Sequence, residues 1–194
     1  FNKRTINVIG NGVIIDPFIL RKEISNLSKS GINVGENLLV SRKAHLIMPT
    51  HRLLDAVYEK AKGENKIGST LKGIGPCYTD KVSRNGIRVG DIEHSTFDKR
   101  YKNARERHIR IIEQYDTDYE DITIDGIKFI EYENQWHDAL KELNKLKKIN
   151  SEYYLNKQLD AGKKILAEGA QGTLLDIDFG SYPFVTSSNT TVAA

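Results

Sequence analysis

The sequence predicts an α/β fold: a mostly parallel central sheet with helices packed on it, and a helical insertion over about 95–161. Three observations lead there. The first is a strand–helix–strand order in the first forty residues, which favours parallel strands. The second is the short apolar run Ile165-Leu166-Ala167, followed by the Gly-rich turn Glu168-Gly169-Ala170-Gln171-Gly172. A glycine turn at the carboxyl end of a strand is where α/β sheets usually bind ligands. The third is a stretch of helical apolar stripes between these two ends.

Composition sets the class. Of 194 residues, 28% are charged and 39% hydrophobic, which is a globular balance rather than a disordered one. A net charge of +3, with acids and bases interspersed, points to neither nucleic acid nor a membrane surface as partner. No apolar run approaches the roughly 20 residues of a membrane span. The single cysteine, Cys77, excludes an internal disulfide framework and fits a cytoplasmic protein. It follows a proline in a Gly-rich loop and reads as a buried, inert thiol.

In chain order, Thr5 to Ile9 alternates like a strand and Gly10-Asn11-Gly12 ends it. Val13-Ile14-Ile15 is a second short apolar run. A strand with almost no lead-in suggests further sequence upstream. Asp16-Pro17 opens a helix: the carboxylate caps free N–H groups and proline suits the first helical position. Leu20, Ile24 and Leu27 give its stripe and Gly31 its stop. Leu38-Leu39-Val40 reads as a strand. A second helix starts near Thr50, with Leu53, Leu54, Val57, Tyr58 and Ala61 on its apolar face. His45 and His51 flank that start without a trusted metal-ligand spacing, and read as surface or capping residues.

Residues 68–75 hold three glycines, Ser69, Thr70 and Lys72. Glycines let backbone N–H groups converge on an anion. The stretch is neither a P-loop nor a dinucleotide fingerprint. It reads either as a surface loop or, given Ile67 and Ile74, as a loop packed down onto the protein. Arg84 and Arg88 come together if the chain turns at Asn85-Gly86, and guanidinium groups suit phosphates and carboxylates.

Ser95 or Thr96 then caps a helix whose stripe runs through Phe97, Tyr101, Ala104, His108, Ile111 and Tyr115. His108 on that stripe reads as packed. Asp116 to Asp121 is an acidic break that does not match a calcium loop and reads as solvated. Residues 127–132 fit strand or helix. Trp136, Leu140 and Leu143 form another helical face. Ser151 starts a last helix that Gly162 stops.

Several ordered blocks together resemble the adenylosuccinate synthetase family: Ile9-Gly10-Asn11-Gly12-Val13; Gly68-Ser69-Thr70 with Gly73-Ile74-Gly75-Pro76; Asp80-Lys81 with Arg84 and Gly86 to Asp91; and Glu168 to Asp178 running into Tyr182 to Thr190. The resemblance covers essentially the whole chain and is weak across about 95–160. It implies an enzyme that joins IMP and L-aspartate with GTP and Mg2+, as a homodimer. Thr70 and Thr186 match hydroxyls that contact the IMP 5′-phosphate. Arg84 matches an arginine that reaches that phosphate from the partner subunit. Gln171 matches the glutamine whose amide contacts the base near the reacting 6-position.

Relative to that family the chain is a central piece, treated as one partial domain over 1–194. The resemblance implies that the GTP-binding segment, the general acid and base and the magnesium ligands all lie outside it. No catalytic or metal-binding residue is therefore assigned within the chain. Leu71-Lys72 stands where the family has Gly-Arg. The isolated chain is expected to be inactive, with exposed apolar sheet edges that favour self-association. The alternative is a catalytically inert nucleotide-binding or dimerisation module.

Overall fold

The computed structural model describes residues 5–35, 37–65, 68–115 and 118–191. Ile67, Asp116 and Thr117, on which two of the expectations above fall, lie outside that range.

Pairing, rather than sequence order, arranges the strands. β1 (Asn7–Ile9), β3 (Leu38–Ser41) and β7 (Lys147–Ile149) form one parallel sheet in the order β1-β3-β7, with Val8 opposite Leu39 and Leu39 opposite Lys147. β2 (Ile14–Ile15) pairs in parallel with β4 (His45–Leu46). Strand β3 is central and its Val40 and Ser41 are fully buried, as expected for a strand covered on both faces. A strap at 87–90 runs antiparallel beside 42–46: Val89 N–H donates to Ala44 O and Leu46 N–H to Ile87 O, both at 2.8 Å.

Helix α1 (Pro17–Lys29) starts as its sequence dictates. Asp16 accepts from the N–H groups of Phe18 and Ile19 at 2.9 and 3.4 Å, and Gly31 leaves the helix in the left-handed region at φ 76°. Helix α2 (Pro49–Ala61) has its first half buried from Pro49 to Asp55. Helix α3 (Ile74–Val82) starts directly after Gly73, two residues earlier than the loop expected from sequence would end; Pro76 is tolerated because it sits in the first turn. Helix α4 (Phe97–Ile112) buries Phe97, Tyr101, Ala104 and His108 of the expected stripe, but its last turn buries Ile109 and Ile112, while Ile111 is half-buried and Tyr115 lies past the helix end, exposed.

The insertion is less purely helical than its periodicity suggests. Between α4 and α5 (Phe129–Lys145) lies a small antiparallel hairpin, β5 (Thr123–Ile124) and β6 (Ile127–Lys128), turning at Asp125-Gly126. The ambiguous stretch 127–132 is thus the end of a strand followed at once by a helix. The chain then re-enters the main sheet as β7 before α6 (Ser151–Asp160).

Two clusters of buried side chains make the core. One gathers Val40, Leu46, Met48, Tyr101, Trp136 and Leu140; the other gathers Phe18, Leu53, Ile112, Phe129 and Tyr132. Polar tips of the large aromatics are satisfied, as burial requires. Trp136 Nε1 donates to Ile47 O at 2.8 Å and Tyr132 OH donates to Asp16 Oδ2 at 2.6 Å.

One expectation fails. Ile165-Leu166-Ala167 is not a buried strand: no described strand pairs with it, and Leu166 is 94% exposed. The apolar pattern calls for burial that the described chain does not supply. Leu174, Phe179, Tyr182 and Phe184 are exposed beyond it, so the C-terminal stretch carries several large apolar side chains in the open. Among the described residues no helix is long and apolar enough to cross a membrane.

Candidate functional site

Helix α3 links the regions singled out in the sequence. Before its N-terminus lies the loop 68–73. Its backbone N–H groups do converge on anions, as the glycines suggest, but the anions are carboxylates of α2. Gly68 and Ser69 N–H donate to Glu59 Oε1 at 2.6 and 3.2 Å, and Gly73 N–H donates to Asp55 Oδ2 at 2.8 Å. The hydrogen bond from Gly68, the largest influence, holds the Glu59 carboxyl below its ordinary value. Gly73 sits at φ 73°, and a Cβ there would lie 3.0 Å from the backbone of His51 and Arg52, so the loop rests against α2 itself. Thr70 is exposed between these anchors. Leu71 is held in the left-handed region at φ 55°.

The block 172–190 closes on Asp176. Its Oδ1 accepts from Asp178 and Phe179 N–H, and its Oδ2 from Thr190 and Thr191 N–H. Burial pushes this carboxyl up, but the four N–H donors outweigh it and hold it at about 2. Thr190 also donates its hydroxyl to Gly172 O at 2.7 Å, and Thr186 N–H donates to Leu175 O at 2.9 Å. Gln171, exposed and at φ 70°, directly precedes this block. The block docks on the first turns of α3. Ser187 Oγ lies 3.4 Å from where a Cβ of Gly75 would be, and Ser188 lies beside the Tyr78 hydroxyl, which donates to Gly12 O. Loop 68–73 leads into the same end of α3, so the loop carrying Thr70 and the stretch just after Thr186 meet at one helix end.

Arg84 lies elsewhere. Nine residues of α3 span about 14 Å, and Arg84 follows its far end, exposed, at φ 64°. The turn expected at Asn85-Gly86 forms, because Asn85 and Gly86 N–H both donate to Asp80 O. It brings Arg84 and Arg88 to one cleft of about 230 Å³ lined also by His45, Lys81, Asp91 and Arg100. Asp91 already accepts from Arg100 and from the Arg88 backbone. His45 is buried at the cleft wall, and its Nδ1 has no partner among the described residues. Burial, then the charges of Arg88 and Lys81, push its pKa down to about 4.

His51, Asp80 and His108 gather into the one described group with metal-ligand composition. Asp80 Oδ2 accepts from His108 Nε2 at 3.1 Å, His51 Nε2 at 3.3 Å and Arg107 Nη2 at 2.8 Å. Burial raises the Asp80 carboxyl, yet the hydrogen bonds from His108 and His51 outweigh it and hold it far below its ordinary value. The set does not fit a metal. His51 Nδ1 accepts from Met48 N–H at 3.0 Å, so the neutral ring must carry its proton on Nε2, the atom that would have to bind the ion. Arg107 also holds the same oxygen with a positive charge. The network instead ties α2, α3 and α4 together. His45 and His51 are therefore not surface residues. His51 does cap α2, but from a fully buried position. Sequence spacing could not find this cluster, since its members lie 28 and 29 residues apart along the chain. Cys77 is buried, and burial raises its thiol well above the ordinary range, in keeping with an inert role.

Comparisons with known proteins bear on this arrangement as a whole. A family model described as Adenylosuccinate synthetase matches residues 1–194. The adenylosuccinate synthetases of Porphyromonas gingivalis and Flavobacterium johnsoniae are 56% and 53% identical to this chain over its full length, which corresponds to 44% of theirs. The solved structure of fully ligated adenylosuccinate synthetase from Plasmodium falciparum superposes with a TM-score of 0.76 at 34% identity, covering 99% of this chain and 43% of that one. The chain thus spans under half the length of the relatives it matches. Identity at this level from end to end, on a shared fold, leaves one assignment: the chain belongs to the adenylosuccinate synthetase family.

Proposed function

We propose that the protein carrying this chain is a GTP-dependent ligase of purine nucleotide biosynthesis, and that residues 1–194 supply much of its IMP pocket. In this reaction the purine 6-oxygen is a poor leaving group. The γ-phosphoryl of GTP is transferred to it as N1 gives up its proton, giving 6-phosphoryl-IMP and GDP. The aspartate amine then attacks C6, phosphate leaves with the oxygen, and the amine loses its proton to give adenylosuccinate. Such a site must hold the nucleotide phosphate, steady charge at the 6-position and exclude water.

The observation that carries the reading is the meeting of the Thr70 loop and the stretch just after Thr186 at the first turns of α3, where Ser187 abuts Gly75. Thr70 and Thr186 are assigned to the 5′-phosphate and Gln171 to the base beside its 6-position. Arg84, exposed at the other end of α3, is assigned to the phosphate of a partner subunit in a homodimer. That placement gives a reason why it does not face the other three within one chain. A cytoplasmic setting accords with the single buried thiol. Magnesium would steady the transferring phosphoryl group; the one described group of potential metal ligands, His51, Asp80 and His108, does not suit its preference for oxygen ligands.

The test uses the intact protein with IMP, GTP, L-aspartate and Mg2+. Adenylosuccinate formed only when all are present supports the reading, and Gln171→Ala should cut turnover by about tenfold or more. Binding of IMP without any product would instead favour an inert nucleotide-binding module.

A further inference from the structure

We propose that Arg52, Asp55 and Glu59 are positioning residues that shape the loop 68–73 and thereby present Thr70 to the nucleotide 5′-phosphate. The proposal rests on the IMP reading above. These three side chains fall at i, i+3 and i+7 of α2, which places them on one helix face. Each takes hold of a different point of the loop. Glu59 Oε1 accepts from both Gly68 and Ser69 N–H. Asp55 accepts the Ser69 hydroxyl on Oδ1 at 2.6 Å and Gly73 N–H on Oδ2 at 2.8 Å. Arg52 Nε donates to Leu71 O at 3.2 Å. Residues on both sides of Thr70 are thus fixed, and Thr70 is left facing outward.

The arrangement also decides which donors remain for a ligand. The amides of Gly68, Ser69 and Gly73 are engaged by carboxylates, and Leu71 N–H donates to Ser69 Oγ. An incoming phosphate therefore meets the Thr70 hydroxyl with those four amides already taken. The clamp needs oxygen acceptors at fixed places and does not need negative charge. Glutamine at position 59 can still accept both N–H groups through its carbonyl oxygen, whereas alanine cannot. A role for Glu59 as a base or as a charge would show the opposite pattern, with glutamine as damaging as alanine.

The test measures IMP binding by calorimetry, and KM and kcat, in the intact protein. Glu59→Ala should weaken IMP binding and raise its KM by about tenfold, with kcat and the KM for GTP within about twofold, and Glu59→Gln should restore both. Ser69→Ala cuts the clamp from the loop side without touching α2, and should raise the KM for IMP in the same selective way even if Glu59→Ala proves unstable. Wild-type protein that does not bind IMP overturns the pocket reading and the clamp with it. Wild-type protein that binds, while neither Glu59→Ala nor Ser69→Ala changes IMP affinity, overturns the clamp alone. Equal loss in Glu59→Gln and Glu59→Ala also overturns it.

Discussion

His51 and His108 face one another across a single carboxylate oxygen, their ring centroids 4.8 Å apart and each Nε2 turned to Asp80 Oδ2. An imidazole such as His51 hydrogen-bonded to an anion ordinarily takes up a proton readily. The third donor to that oxygen, Arg107, already supplies the positive charge. Burial, the largest influence on His51, pushes its pKa down to about 4, although the Asp80 hydrogen bond acts the other way.

Acidification should therefore begin to weaken the fold as pH falls below about 6.5. His45 and His51 bind a proton near pH 6.5 when unfolded, and at about 4 in the structure. Between those values the unfolded state holds more protons, so stability is complete above pH 6.5 and is lost as pH falls toward 4. The slope is roughly one kcal/mol per pH unit for each histidine at most. Asp80, held low, adds to the loss only below its unfolded value of 3.8. NMR titration of the histidine ring protons in the intact protein checks this. Either resonance titrating near 6.5 would contradict it, and His45→Gln should remove part of the slope in urea midpoints against pH.

Asp80→Ala should cost about 3 kcal/mol or more, because it strands two buried ring N–H groups and a guanidinium at once. Arg107→Ala should cost less than half of that. Arg107 is about a third exposed, so water replaces part of what is lost. Paired thermal or urea melts of the two variants measure the difference. Equal losses would mean that the ion pair, not the histidine pair, dominates the network.

The same tautomer argument gives a prediction about metals. Adding Co2+ or Zn2+ in slight excess should neither raise the melting temperature nor, for Co2+, produce the visible bands of a tetrahedral site. His51 would have to give up the Nε2 proton while Met48 N–H still points at Nδ1. A cobalt spectrum lost in Asp80→Ala would show that the network rearranges to bind.

How far the sequence could be read depended on the range of the interactions. Asp16 and Pro17 announced a helix start because capping is settled within four residues, and the stripe of α4 was visible for the same reason. Thr70, Gln171 and Thr186 stood out because glycines and hydroxyls clustered around them. The glycines at 68 and 73 correctly signalled converging amides, but local sequence could not say that Glu59 and Asp55 would fill them. The His51–Asp80–His108 network joins three helices, and no spacing rule connects its members. Lys147 to Ile149 escaped because three residues with two lysines carry no alternation; only pairing with β3 makes them a strand. Ile165 to Ala167 erred in the other direction, an apolar run without a described partner.

Leu71 and Gly73 both lie in the left-handed region, at φ 55° and 73°, yet opposite substitutions there should behave very differently. Leu71 is 43% exposed, so its side chain gives up little burial on removal. Leu71→Gly relieves about 1 kcal/mol of backbone strain and loses a similar amount to the greater freedom of the unfolded chain. Stability should therefore stay within about 0.5 kcal/mol of the parent. Gly73→Ala meets strain without relief. Its new methyl would lie 3.0 Å from the backbone at His51 and Arg52, which cannot move without disturbing the start of α2. It should cost about 2 kcal/mol or more. Because Gly73 N–H is held by Asp55, any shift of the loop should also raise the KM for IMP. Urea midpoints for the two variants, read beside their IMP binding, separate the cases. A stable Gly73→Ala with unchanged IMP affinity would mean that the loop does not rest on α2 when it works.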